Sequence, residues 1–526
     1  SLDAAVTGAI SDKVPTLNAG TESVSGYPTN TRTREAMISY FGRGNYSFLD
    51  RYMLSLTMRA DASSKFAKEN RWGYFPATSF GWLISEEPFW NVEDMNMFKL
   101  RLSYGLTGNN GIGLYDTYGS YNIGNIYNGN ATTTLGIMPN HGLTWETTSQ
   151  FNIGVDLGFF DNRIRVIADY YNKVTSDLLF DITLPDITGY STATANIGKV
   201  RFYGADFELS SVNIRKKNFE WSTDFTYSYN MNKVLKLPDN GIPGNRINGI
   251  ILGDGTQYGG IAEGERLGRF YGYKVDHILE TEAQADAALY DALSRGFRRS
   301  DRLNSSSDPA LAGRKDVGDY EWKNRPGSST DANGNDIINA EDQFLLGYVA
   351  PHSTGGLTNN FRYRNFSLSI TLDYALGHSI FNAMQMRYFM ATMGNANYNL
   401  VNDVKTAWKK PGDNTKYARF TANDPDWGNR NYGRTSDIFT EKGDYLALRD
   451  VVFSYDLSSK LIRSFGMQNL TLSLSGNTLM YFTAVKGVSP EAVTTGGLYS
   501  YADTYSKNYN PYPPARKILF GLKAVF

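Results

Sequence analysis

The stretch that decides the fold is Phe98 to Thr107, FKLRLSYGLT, in which Phe98, Leu100, Leu102, Tyr104 and Leu106 alternate without error with Lys99, Arg101, Ser103, Gly105 and Thr107. Period two puts all the apolar side chains on one face of an extended strand and all the polar ones on the other. The same pattern recurs outward along the chain. Phe151, Ile153, Val155, Leu157 and Phe159 alternate with Asn152, Gly154, Asp156 and Gly158. Phe219, Trp221, Phe225, Tyr227 and Tyr229 alternate with polar partners, as do Phe366, Leu368, Ile370, Leu372 and Tyr374. The run length is informative: an apolar band about 25 Å tall, crossed at about 40° tilt and about 3.3 Å per residue, needs about ten residues. Ordinary globular strands have about five or six. The polar faces carry Arg59, Asp61, Asp169, Asp206 and Glu208, which suit a hydrated lumen or solvent and fit a dry core poorly.

Thirteen such spans can be read, at about 34–48, 51–62, 71–84, 97–107, 147–160, 162–175, 200–213, 218–231, 353–364, 366–377, 444–457, 469–482 and 515–526. Tight joins fall near Leu49 and Asp50, Asp161 and Asn162, Lys216 to Asn218, and Arg364 and Asn365, with medium ones at 86–96 and 458–468. Long polar stretches lie between them, at about 107–146, 176–199, 232–352, 377–440 and 483–513. Short and long connections alternate, as in outer-membrane barrels with short periplasmic turns and long extracellular loops. The expected fold is therefore all-β, a transmembrane antiparallel β-barrel. Its last strand ends the chain on Phe526, with Ile518, Phe520, Leu522 and Ala524 on the same side. If that end is periplasmic, parity makes residues 1–33 an extracellular loop segment. Residues 34–526 are then barrel, with extracellular loops at 232–352, 377–440 and 483–513. Single-chain bacterial barrels usually have even strand numbers, so an odd count implies further strands before Ser1.

Composition narrows the chemistry. Of 526 residues, 41% are hydrophobic and 20% charged, and 52 basic residues balance 53 acidic ones, which removes any whole-chain case for nucleic acid. Zero Cys excludes disulfides, thiolate nucleophiles and Cys-ligated zinc, and the four His, at 141, 277, 352 and 378, are too scattered for a His-rich metal site. No stretch approaches 18 apolar residues, which argues against a membrane helix but not against a barrel, whose alternation averages out. No GxSxG, HExxH or P-loop pattern appears. An enzyme is not expected.

These residues resemble the SusC/RagA type of TonB-dependent outer-membrane transporter. The resemblance is carried by RWGYFPATSFGWLISEEPFW from Arg71 to Trp90, FKLRLSYGLTGNNGIG from Phe98 to Gly113 and LTWETTSQFNIGVDLGFFDNRI from Leu143 to Ile164. It continues through DYYNKVTSDLL, GRFYGYKVDHIL, YLALRDVVFSY, LSLSGNTLMYFT, KGVSPEA and YPPARKILFGLKAVF. The family implies a 22-stranded barrel around an N-terminal plug, so this chain is expected to be the C-terminal part, with about nine strands outside it. It further implies import of oligosaccharides or peptides, a SusD-like lipoprotein lid, TonB acting through the missing N-terminal part, and a dimer of heterodimers in outer-membrane lipid. No cofactor is required. A passive porin and a soluble secreted β-rich binding protein are the rival readings.

Three local features are candidate sites or contacts. In DANGNDIINAED, oxygen donors Asp331, Asn333, Asn335, Asn339 and Asp342 and the Ile337 carbonyl have the spacing of an EF-hand-like Ca²⁺ loop. The pattern departs at Asp336, where Gly is usual, and at Asp342, where Glu is usual. Thr281 to Gly296 opens with a Thr281/Gln284 capping box and predicts a short helix. The loop around 395–440 holds Trp427 and Tyr432, flat aromatics suited to stacking on sugar rings or peptide backbone.

Overall fold

A computed structural model of the chain describes residues 6–7, 22–23, 33–128, 130–184, 186–190, 192–292, 315–382, 385–386, 400–420, 431–457, 466–491 and 515–526. All thirteen anticipated spans form strands: β1 Met37–Phe48, β2 Tyr52–Ser63, β3 Trp72–Leu83, β4 Met95–Asn109, β5 Glu146–Phe159, β6 Ile164–Thr183, β7 Thr192–Lys216, β8 Phe219–Lys236, β9 Ser353–Tyr363, β10 Phe366–Leu376, β11 Tyr445–Asp456, β12 Asn469–Thr483 and β13 Lys517–Val525. They make one antiparallel sheet in which hydrogen-bonded neighbours follow chain order from β1 to β13. No described helix is long and apolar enough to cross a membrane. By contacts the chain divides into two compact units. One comprises Ser1–Asn162, Ile167–Ala205 and Asn232–Asn245; the other comprises Arg163–Val166, Asp206–Met231 and Arg246–Phe526.

In the first unit, the β1–β2 hairpin closes through Leu49 and Asp50, both at φ 53°, as a two-residue turn requires when its twist must match that of its strands. That turn fixes register. Tyr46 pairs with Leu54, Leu54 with Phe80, Phe80 with Leu102 and Leu102 with Ile153, so the apolar face carries rows of side chains across five strands. One residue away, Asn45, Ser55, Ser79, Ser103 and Asn152 form a matching row on the polar face. The apolar face stays uncovered: Tyr46 is 63% exposed and Phe151 40%, and Leu100 is only half-buried. Trp72 and Trp82 lie on that face at opposite ends of β3. Trp72 stacks on Tyr40, and Trp82 on Tyr52, which in turn stacks on Phe48. Ten residues apart, the two tryptophans stand about 25 Å apart along the barrel axis, the separation of two aromatic girdles. Around the start of β3, Phe66, Phe75, Ile112, Leu143 and Trp145 make a small core at the long-loop end.

In the second unit, β8 to β13 continue the alternation, and Ile370 is half-buried, not enclosed. The described parts of the long polar connections after β8 and β10 are folded. Segments after β8 and after β10 close over a core in which Tyr432 and Phe439 are 0% exposed and Tyr320 and Trp322 1%. Short pairings frame it: Arg269–Gly272 with Phe344–Tyr348, Val275–Ile278 with Tyr320–Trp322, and Ser379–Phe381 with Thr440–Lys442. This loop module escapes a search for periodicity because its aromatics are spread over two segments.

The predicted helix forms as α1, Glu282–Ala287, with the Thr281/Gln284 capping box in place and Ala285 buried. It is shorter than expected. The chain turns extended at Ala288, and Tyr290–Asp291 pairs in parallel with Ile337–Ile338, which draws residues once assigned to the helix into a strand. Gly296 lies outside the described residues. Within 1–33, Val6–Thr7 pairs antiparallel with Glu22–Ser23.

Candidate functional site

The polar faces carry charges that would be unstable in hydrocarbon, and the fold pairs several of them. In the first unit Arg101 of β4 sits between two carboxylates: its Nε donates to Asp156 Oδ1 at 2.8 Å and its Nη2 to Asp169 Oδ2 at 2.9 Å. Gly154 makes the space. A Cβ there would lie 2.0 Å from Asp169 Oδ1 and 2.9 Å from Arg101 Nη2. Arg101, Asp169, Lys99 and the row Ser55, Ser79, Ser103 and Asn152 line a groove of about 470 Å³ on this face. Asn152 Nδ2 donates to Ser103 Oγ at 3.0 Å, which ties the row together. Small hydroxyls and amides beside an ion triad with one carboxylate in excess give a hydrated wall with low relief, suited to solutes that exchange hydrogen bonds with water.

In the second unit, β11 repeats the device with a difference. The register slips by one residue between β10 and β11 at Thr371/Leu372, and again between β11 and β12 at Leu448/Asp450. Against β10 Arg449 is the extra residue, a β-bulge, while on the β12 side Thr478 and Leu479 oppose it and Thr478 takes φ 52°. Strict alternation would have turned either Arg449 or Asp450 toward the apolar face, where a charge costs about 2–4 kcal/mol at mid-depth. The bulge leaves both on the polar side. Arg449 holds Asp373 through two parallel bonds, Nε to Oδ1 and Nη2 to Oδ2, each 2.7 Å, and also pairs with Glu491. Asp450 accepts from the Asn477 amide. This pair of charges was missed in reading the sequence, although the adjacent Arg-Asp inside a strand pattern is a signal for a bulge.

A third arginine between two carboxylates lies in the loop module. Arg419 reaches Asp316 at 2.7 Å and Asp319 at 2.6 Å, and Asn431 Nδ2 donates to Asp319 Oδ1 at 3.1 Å. Both aspartates are about 1% exposed, so this clamp is largely desolvated. Lys315 with Glu321 and Arg434 with Asp291 are further buried pairs around it.

The described residues proposed from sequence as ligand contacts have other partners. Tyr432 is enclosed in the module core and its hydroxyl donates to the Ala418 carbonyl, so its ring offers no face to cargo. Trp427 lies outside the described residues. In the Ca²⁺-like segment, the Asp331 carboxylate accepts from the backbone N–H groups of Asn333 and Asn335 and from the Asn335 amide, closing a turn on Gly334 at φ 82°. Asn324 Nδ2 donates to the Ile337 carbonyl, and Asn339 Oδ1 accepts from Glu341 N–H. Asp342 is fully buried and accepts from Arg325 and Asn339 N–H. Burial pushes its carboxyl up, against the pull of those two donors. Among the described residues no three His, Asp or Glu side chains gather in a metal-sized cluster. These oxygens already accept N–H donors within the turns, an arrangement that does not fit a calcium site. EF-hand spacing arose here from two successive Asx-type turns, which use the same residue types.

With this geometry in view, comparison with known proteins settles the lineage. The sequence pattern described as "TonB dependent receptor-like, beta-barrel" matches residues 7–285, just over half of the chain. The chain belongs to the TonB dependent receptor-like β-barrel family. It is 30% identical to TonB-dependent receptor P3 of Formosa agariphila, over 98% of this chain and 48% of that protein. It is 29% identical to TonB-dependent receptor SusC of Bacteroides thetaiotaomicron, over 94% of this chain and 44% of that protein. The solved structure of the RagAB peptide transporter superposes with a TM-score of 0.68 at 23% identity, over 98% of this chain and 50% of that one. The chain thus spans about half the length of the relatives it matches, and the expected SusC/RagA type and outer-membrane barrel class hold.

Proposed function

We propose that this chain supplies the C-terminal wall and extracellular loops of a TonB-dependent importer of oligosaccharides or peptides. A SusD-like surface lipoprotein acts as its lid. The observation that carries the reading is the division of one long-stranded sheet into an uncovered apolar face and a polar face whose arginines Arg101 and Arg449 are each held between carboxylates. Such a sheet is stable with lipid on one side and water on the other, and in neither medium alone. In this reading the polar face lines the lumen, the short turns and Phe526 are periplasmic, and the loop module meets cargo outside the cell. TonB engages a part of the protein beyond this chain, and two transporter–lid pairs form a dimer. Trp427 remains the aromatic candidate for cargo contact.

The test is uptake by cells producing the full-length protein with a SusD-like lipoprotein. Labelled oligosaccharides and oligopeptides are expected to enter in a TonB-dependent manner, and one of the two classes should dominate. Equal uptake with TonB deleted would leave a passive pore. Recovery of the protein in soluble fractions without detergent would end the membrane reading altogether.

A further inference from the structure

Residues Thr483–Glu491 leave β12 and return over the polar side of the second unit, fastened at two ends. At the module end, buried Asn382 donates its Nδ2 to the Lys486 carbonyl at 2.7 Å, while Lys486 N–H donates to Glu441 Oε2 at 3.0 Å. Lys486 Nζ also pairs with Asp403 at 3.2 Å. Asn382 in turn is fixed to the core, its N–H donating to the carbonyl of fully buried Phe439 at 2.8 Å. At the wall end, Glu491 is held by Arg449, which the β11 bulge aims at it. One stretch of nine residues therefore joins the folded loops to the strand wall.

The two ends differ in what release costs. Freeing Lys486 would take the buried Asn382 amide, 2% exposed, from its 2.7 Å acceptor and leave its Nδ2 only Glu441 Oε2 at 3.3 Å. Freeing Glu491 costs less: Arg449 keeps both bonds to Asp373, the Tyr445 and Tyr481 hydroxyls that also bond Glu491 keep Asp373 and Arg449, and the side chains of Arg449 and Glu491 are 28% and 34% exposed to water. Three charges, two negative and one positive, also leave the closed arrangement with one carboxylate in excess.

We infer that Thr483–Glu491 is a strap coupling the loop module to the barrel wall, and that the Arg449–Glu491 pair is its release point. Arg449 is a positioning residue: it acts through Glu491. Resting on the import reading above, the strap lies over the polar face that lines the lumen, so release at Glu491 widens the extracellular mouth while the module end stays attached.

The test uses the intact transporter in lipid nanodiscs, with Glu491→Gln and, at the other end, Lys486→Met. Hydrogen exchange followed by mass spectrometry should show Val485 and Lys486 amides exchanging about fivefold or more faster in Glu491→Gln, with β12 residues 472–475 and the core strand Tyr320–Trp322 unchanged. Lys486→Met should change them about twofold or less, since Asn382 still holds the carbonyl. In planar bilayers, Glu491→Gln should raise passive conductance above the wild-type level. Unchanged exchange at 484–487 overturns the strap, and so does faster exchange that spreads equally into Tyr320–Trp322, which would mark Glu491 as a general stabiliser. Faster local exchange without a conductance change overturns the coupling to the mouth. A wild-type protein that imports no solute would sink the import reading, while the exchange data would still decide whether the strap exists.

Discussion

The strand wall and the loop module both place an arginine between two carboxylates, yet the device does different work in each. On the wall, Arg101 is 36% exposed and its partners Asp156 and Asp169 are 19% and 27% exposed, so water shares the solvation. In the module, Arg419 is 13% exposed with Asp316 and Asp319 at 2% and 1%. A solvated clamp neutralises charge on a surface that must stay wet, and contributes little to stability. A buried clamp fixes which loop meets which, because breaking one partner leaves an uncompensated charge inside. The difference teaches that a barrel wall is specified by its hydrogen-bond ladder, whereas loops without a ladder need buried polar pairs to choose one packing.

The largest expected effect follows from that contrast. Asp319→Ala removes the partner of Arg419 Nε and Nη2, of Asn431 Nδ2 and of Asp316 N–H. It should destabilise the loop module by about 3 kcal/mol, read as protease cleavage within 246–352 while the barrel keeps its resistance to SDS without heating. Arg101→Met should cost about 1 kcal/mol or less, with no new cleavage in the loops. If the two substitutions proved equal in thermal unfolding, the contrast between wall and module would be broken.

Acid should sharpen it further. Burial alone pushes the Glu265 carboxyl up, but hydrogen bonds from Arg246 and Arg269 outweigh that and hold it below the usual carboxylate range. A lowered folded-state value means the stabilisation is fully present above the unfolded value of about 4.3 and is lost as pH falls through the folded one. Loop proteolysis should therefore rise below about pH 4.3, and Glu265→Gln should flatten that rise. The smallest effect concerns the Asp331–Asp342 turns. Added Ca²⁺ should leave the melting of wild type and Asp331→Ala alike, and a calcium-dependent shift of several degrees in wild type only would restore the cation reading.

Much of the wall was legible in advance, and the reason is local. In FKLRLSYGLT each side chain's face follows from its parity alone, and Leu49–Asp50 or Arg364–Asn365 announce tight turns by position between two such runs. β1 to β13 emerged within a few residues of their expected bounds, except β6 and β7, which extend further toward the long loops. What parity could not supply was partnership across strands. Arg101, Asp156 and Asp169 each read as polar-face residues, but their meeting depends on the register of β4, β5 and β6. Arg449 was hidden for a related reason: a bulge breaks the period that was being counted. Tyr432 misled because an aromatic amid Asn, Asp and Gly looks like a surface residue until its neighbours from a distant segment are known.

Sequence alone determined the strands, their two faces and the medium each face must meet, since those follow from side-chain chemistry taken two residues at a time. Only the tertiary structure decided that the long loops own a core, that the Asp331–Asp342 oxygens are spent on turns, and that Glu491 returns to Arg449. Each of those joins residues tens of positions or more apart or turns on which donor reaches an oxygen first, and no periodicity along the chain records either.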